Sequence, residues 1–389
     1  MRAFKRVPVF GGVDGAAGSV QAAPMSGQPG HRLRKVICGA CLAALSTGYV
    51  WAAGDEPILP PSSVTASTVP ANGDVNPYGV AFVPAGVPSW STLKAGDVVV
   101  SNFNAKSNLQ GTGTTIVKFV PNGTPITFFQ GHNLGLTTAL AVLRSGFVLV
   151  GNLPTTDGKT PTSQGSLLVV NPQGGLAAEL KNPTLLNGPW DLTVIDRGGS
   201  VKVFVSNVLS GNVARLDLSI DETGVHVLPT SRIVASGYMH RSDPTAFELG
   251  PTGLAYDADH DVLYVASTAD NAVFAIYGAA SATHDAGVGR LIYQDNAHLR
   301  GPLGLALAPN GHLVTANGDA INPDPQQPSE LVEFTVDGRF IAELSVDPSQ
   351  GAAFGLAFGR DRHGRVRLAA VDDATNTLTV WTLGESGNN

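Results

Sequence analysis

Pro251-Thr252-Gly253-Leu254-Ala255 and Pro302-Leu303-Gly304-Leu305-Ala306 are two copies of one phrase, and Pro77-Tyr78-Gly79-Val80-Ala81 is a third. Weaker copies stand at Thr137-Thr138-Ala139-Leu140-Ala141, Pro189-Trp190-Asp191-Leu192-Thr193 and Ala353-Phe354-Gly355-Leu356-Ala357. Counted from Gly79, the central residue returns at Ala139, Asp191, Gly253, Gly304 and Gly355, at intervals of 60, 52, 62, 51 and 51 residues. A period of this size marks a repeat architecture.

Each copy leads through a turn into a second hydrophobic strand of the kind Leu263-Tyr264-Val265-Ala266-Ser267, then a third, such as Ala272–Tyr277. A fourth closes most units, for example Phe340–Ser345. Short apolar runs separated by Pro121-Asn122-Gly123 or Asp337-Gly338 are antiparallel meanders. Six such units predict an all-β, six-bladed β-propeller over residues 62–385, followed by a tail at 386–389. The last unit contains three strands. The otherwise unpartnered stretch Ser62–Thr68 is expected to supply its fourth and close the ring.

Ahead of the repeats lies a targeting segment. Arg32, Arg34 and Lys35 precede the apolar run Val36–Leu45, and Val50-Trp51-Ala52 offers a cleavage site after Ala52. Residues 1–52 are therefore read as a signal peptide with an N-terminal extension, its true start at Met25, and 53–61 as a linker. An uncleaved anchor is the alternative, but the run is short for a bilayer span of about 20 residues. Both cysteines, Cys38 and Cys41, fall inside this segment, so the mature chain has no disulfide chemistry. Lipid attachment at Cys41 is disfavoured, because Cys38 stands where Leu is usual. The expected location is periplasmic or extracellular, with no stable membrane insertion after cleavage. The whole chain carries 24 Lys and Arg against 31 Asp and Glu. Cleavage removes six of the basic residues and Asp14, leaving 18 basic and 30 acidic side chains. A balance this acidic argues against nucleic acid as a partner.

The Pro-x-Gly-Leu-Ala phrase, followed by a Leu-Tyr-Val-Ala strand, resembles the NHL-repeat and gluconolactonase-like six-bladed propellers over roughly residues 76–385. The resemblance implies a divalent metal at the channel mouth, held in part by an Asp just before a phrase Gly. Here that position carries Tyr78, Thr138, Trp190, Thr252, Leu303 or Phe354. Asp191 falls one residue later, where the pleat turns it the other way. No metal or cofactor site is therefore expected.

The long loops at 103–113, 153–165, 236–250 and 318–329 are expected to elaborate one face. Two rings of residues are expected at its mouth: the aromatics Tyr78, Trp190 and Phe354, and the strand-end residues Asn102, Asn152, Asn207, Asn317 and Asp372. The aromatics can wedge between blades or form a ligand platform; the amides can hold turns or contact a polar ligand. Asp257-Ala258-Asp259-His260-Asp261 lacks the Gly and distal Glu of a calcium loop and reads as a solvated turn. His240-Arg241-Ser242-Asp243 has triad residue types without triad geometry. These features lead to the expectation of a non-catalytic binding or scaffold protein, its partner a protein, a glycan or a small amphipathic ligand. The alternative is a propeller hydrolase, lactonase or lyase with an atypical metal site at the mouth.

Overall fold

The computed structural model describes residues 56–58 and 63–383. The proposed signal peptide and the C-terminal tail lie outside the described residues. Six antiparallel sheets follow one another along the chain, each starting from an inner strand that contains the phrase. The inner strands are Val75–Phe82, Leu136–Val142, Pro189–Asp196, Pro251–Asp257, Pro302–Leu307 and Ala353–Arg360. Each packs against the next, and the sixth packs against the first, so the ring is closed.

The physical meaning of the phrase lies in its pairing. In every blade the register of inner and second strand slips across it, between Pro77 and Val80, Leu136 and Leu140, Pro189 and Leu192, Pro251 and Leu254, Pro302 and Leu305, and Ala353 and Leu356. The repeat is thus a β-bulge, which frees backbone groups from the sheet and bends the strand. Hydroxyl side chains take up those groups and carry the bonding to the neighbouring blade. The Gly79 N–H donates to Ser101 Oγ at 2.9 Å, and Ser101 donates onward to the Thr137 carbonyl at 2.8 Å. Thr137 Oγ1 in turn donates to the Pro189 carbonyl at 3.0 Å. The same relay runs from the Asp191 N–H through Ser206 to the Thr252 carbonyl, and from Thr252 Oγ1 to the Pro302 carbonyl.

Glycine is favoured at the bulge because of crowding, since none of Gly79, Gly253, Gly304 and Gly355 has a positive φ. A Cβ on Gly79 would stand 2.8 Å from the Thr138 carbonyl oxygen, and one on Gly304 2.5 Å from that of Phe354. At Gly253 and Gly355 it would overlap the carbonyl oxygens of Leu303 and Tyr78. Each of these oxygens belongs to the residue before the central residue of the next blade.

Between blades, one apolar cluster fills each of the six junctions. At the first-to-second junction it contains Val99, Ile116, Leu140 and Val150; at the sixth-to-first, Val80, Val100, Val371 and Val380. The ring closes as the sequence predicts. Ser63–Ser67 pairs antiparallel with Thr377–Thr382, from Ser63 opposite Trp381 to Ser67 opposite Thr377. Upstream of this strand, the Ile58 N–H reaches the buried carboxylate of Glu333 in blade five, at 3.1 and 2.8 Å from its two oxygens.

Blade three departs from four strands. Its third strand, Asn212–Asp221, is long enough to pair with both Gly224–Val227 and Arg232–Ser236. The following connection is not irregular. It folds into a hairpin of Arg241–Asp243 on Phe247–Leu249.

Two outcomes follow. Deleting residues 63–67 should lower the melting temperature by about 5–10 °C, given roughly 2–4 °C per kcal/mol for chains of this class; an unchanged thermal melt would refute the latch. Gly355→Ala should cost about 1–3 kcal/mol in denaturant unfolding, the usual overpacking cost.

Candidate active site at the channel mouth

Five aromatic rings meet where the inner strands of blades one, three and six begin. Tyr78 stacks on Phe103 at 4.5 Å and on Phe354 at 4.4 Å between ring centroids. Trp190 meets Tyr78 and Phe103 edge-on at 5.9 and 5.6 Å and stacks on Phe247 at 6.1 Å. Phe247 comes from the inserted hairpin and is held at a φ of 69°, a costly conformation for a bulky side chain. Leu153 and Val208 complete this cluster.

The cluster divides the propeller axis. On one side lies a channel of about 290 Å³ lined by the phrase residues that follow, including Leu140, Asp191, Leu254 and Leu356. Asp191 takes the bulge position that glycine holds in four other blades. Its carboxylate accepts from the Leu192 N–H at 2.8 Å and from the Leu254 N–H of blade four at 3.1 Å. Burial in the channel pushes its carboxyl up to about 8. On the other side lies the mouth cavity of about 520 Å³, which shares no lining residue with the channel.

Tyr78, Trp190 and Phe354 all line the mouth cavity, although Trp190 is only 1% exposed and contributes mostly to packing. The strand-end ring lies elsewhere. Asn152, Asn207 and Asn317 each accept from the chain that leads into their own blade's inner strand, at Gly135, Asn187 and Arg300, within 2.9–3.0 Å. Asn102 donates to the Thr68 carbonyl and to Thr115 Oγ1, both at 3.2 Å. Asp372 accepts from the N–H and hydroxyl of Thr375. All five are buried, and none lines the mouth cavity.

Their neighbours in the loops do. Asp373, one residue past the ring, lines the cavity, and among the described residues no group donates a hydrogen bond to its side chain. Burial, with the nearby charges of Asp372 and Asp347, pushes its carboxyl up to about 7. Burial, with the Asp373 charge adding to it, also pushes the Tyr78 phenol far above its ordinary range. Glu248, on the hairpin, is 3% exposed; burial raises its carboxyl, and Ser242 Oγ donates to it at 3.0 Å. Asp319, two residues past Asn317, accepts from the N–H groups of Ser329 and Gly351 on one oxygen, at 3.0 and 2.9 Å. Its other oxygen is buried without a partner, as are Asn76 Oδ1, Gln110 Oε1 and Trp190 Nε1. Gln110 donates through its amide nitrogen to the Thr245 carbonyl at 2.9 Å, tying the blade-one loop to the hairpin tip.

Asn76, Gln110, Glu248, Asp319 and Asp373 were not among the sequence candidates. The available signal was positional. Gln110, Glu248 and Asp319 sit in the loops read as elaborated, and Asp373 directly follows a strand-end residue. The triad-like stretch at 240–243 supplies no triad: Ser242 serves Glu248, and Asp243 caps the hairpin tip by accepting from Thr245 and Ala246.

Metal chemistry of the kind the resemblance implies does not fit these residues. The positions before the central phrase residue are aromatic, aliphatic or Thr, the amides are engaged in the blade connections, and among the described residues no three His, Cys, Asp or Glu side chains converge as ligands. No helix among the described residues is long and apolar enough to cross a membrane.

No protein-family model matches the chain, and no curated protein matches it. Solved structures match over most of its length. A gluconolactonase of Xanthomonas campestris is 15% identical, with 85% of this chain and 99% of that one covered and a TM-score of 0.49. A luciferin-regenerating enzyme is 11% identical over 84% of this chain and 96% of its own, with a TM-score of 0.50. A calcium-binding regucalcin of Agrobacterium tumefaciens is 15% identical over 82% and 94%, at 0.47. At these identities the likeness establishes the fold, the six-bladed propeller shared with gluconolactonase-like proteins. It also corrects the expectation of a non-catalytic binding or scaffold protein. The luciferin-regenerating enzyme, at a TM-score of 0.50, carries the name of an enzyme and counts against that expectation.

The raised carboxyls set a stability profile. Asp191 at about 8 and Asp373 and Glu330 at about 7 hold protons more tightly folded than unfolded. Their contribution is fully present below about pH 4, the ordinary carboxyl value, and is lost as pH rises through 7–8. The melting temperature should therefore fall between about pH 4 and 8 and level off above it, and a profile that rises over that range would contradict this assignment.

Proposed function

We propose that the protein is a hydrolase of the ester or lactone class whose active site is the mouth cavity. The observation that carries this reading is Asp373, a carboxylate with no donor bound to it, lining a cavity floored by aromatic rings. A group titrating near neutrality at such a place is suited to general base work. In the proposed reaction, Asp373 takes a proton from water while the water oxygen bonds to the acyl carbon. Charge then develops on the carbonyl oxygen, for which Trp190 Nε1–H is a buried donor without a partner among the described residues. The acyl carbon–oxygen bond breaks, and Asp373 returns its proton to the departing oxygen, giving an acid and an alcohol, or one hydroxy acid from a lactone. The aromatic floor accepts the apolar face of the substrate. The targeting segment supports export to the periplasm or beyond, where such a reaction would take place.

A panel of lactones and aryl esters, followed by proton release, tests this. Asp373→Asn should lower kcat by about 10²–10⁴-fold, the usual contribution of a general base, with the melting curve retained. In the unaltered protein the rate should rise with pH through about 7 and then level off, because only ionised Asp373 can accept the proton. Hydrolysis that survives Asp373→Asn would remove the residue from the reaction; no turnover of any member would remove the reaction class.

A further inference from the structure

The mouth cavity is unbalanced in both charge and hydrogen bonding. Asp243, Glu248, Asp319 and Asp373 line it, and no Lys, Arg or His does. Among the fully buried side-chain atoms of the lining residues, three acceptor oxygens lack donors, Asn76 Oδ1, Gln110 Oε1 and Asp319 Oδ1, against one donor without an acceptor, Trp190 Nε1–H. Asp319 is 9% exposed, and its other oxygen is already committed to two backbone N–H groups, so the free oxygen is fixed in direction. Buried acceptors without donors are costly and rare in folded proteins. A ligand that satisfied them would bring donors. A protonated amine meets that requirement with three N–H donors and a positive charge. The half-buried face of Phe354 and the stacked Tyr78 ring beside it add attraction for a cation and none for an anion.

We propose that the mouth is selective for a cationic substrate, an ester or lactone carrying a protonated amine, with Asp319 as its principal charge partner. This rests on the reading of the mouth as the active site. Asp319 acts by binding, since its carboxylate is held by Ser329 and Gly351, whereas Asp373 is left free for proton transfer.

The test is calorimetric titration of the full chain at neutral pH with three probes of one shape: benzylamine, benzyl alcohol and benzoate. Benzylamine should bind at least about tenfold tighter than benzyl alcohol, the scale of one charge-assisted hydrogen bond, and benzoate should bind most weakly. Asp319→Asn keeps an oxygen for the two backbone donors and should weaken benzylamine by about tenfold while leaving benzyl alcohol unchanged. Gln110→Leu, at the cavity rim, should weaken benzylamine less. Equal affinity for the three probes, preference for benzoate, or no binding of benzylamine would overturn the proposal, even if Asp319→Asn failed to fold. Binding is read without turnover. Benzylamine binding in a protein that hydrolyses nothing would leave the specificity and remove the reaction, and ester hydrolysis without benzylamine binding would do the reverse.

Discussion

The close approach of each inner strand to the next organises this molecule. Where Gly79, Gly253, Gly304 and Gly355 press against a neighbouring carbonyl, no side chain fits, and hydroxyl side chains beside the bulge carry hydrogen bonds from one blade to the next. Six blades can surround a narrow axis only if their first strands come this close. The serine and threonine relay then satisfies the groups that the bulge has freed, which a buried backbone requires. The apolar clusters at the junctions supply the bulk of the burial, but they fill the wedge whose angle the bulges set.

The same bulge explains how one short phrase serves two cavities. Because the register slips there, in blades three, five and six the residue before the central position lines the mouth and the central residue lines the channel. Trp190 and Asp191 are adjacent in sequence, yet one belongs to the aromatic floor and the other to the passage beyond it. The two cavities share no lining residue, so two of the raised carboxyls, Asp191 and Asp373, occupy separate environments.

The fold was legible because its determinants repeat. Phrase, strand and turn recur six times, and the unpaired Ser63–Ser67 strand was the arithmetic remainder of a count of strands. The site was less legible because it does not repeat. Asn152, Asn207 and Asn317 were conspicuous through their periodicity, and periodic residues here hold the blade connections. The groups left free for chemistry, Asp373, Asp319 and Gln110, occur once each in loops of unequal length. One of them, Gln110, is tied to a hairpin at 241–249 whose short strands gave no alternating pattern to read. The central residue of blade three illustrates the limit from the other direction: Asp191 stood out as a carboxylate near the metal position that the resemblance implied, and its two backbone donors make it a link between blades three and four.

The strand that closes the ring has a consequence for how the molecule forms. Thr65 and Thr379 share a hydrogen bond across 314 residues of sequence, so the last blade joins the two ends of the described chain. Contacts this distant are slow to form, because the loop entropy is spent before any pairing rewards it. During synthesis the first strand has no partner until the last has been made. Blades one to five can assemble in order, each on its predecessor, as repeat units do. The edge of the third strand of blade six, Thr377–Thr382, stays open until the N-terminal segment returns to cover it. That edge is the point at which a second unfinished chain could add its own strand, so the order of closure sets the balance between a finished ring and a strand-exchanged pair.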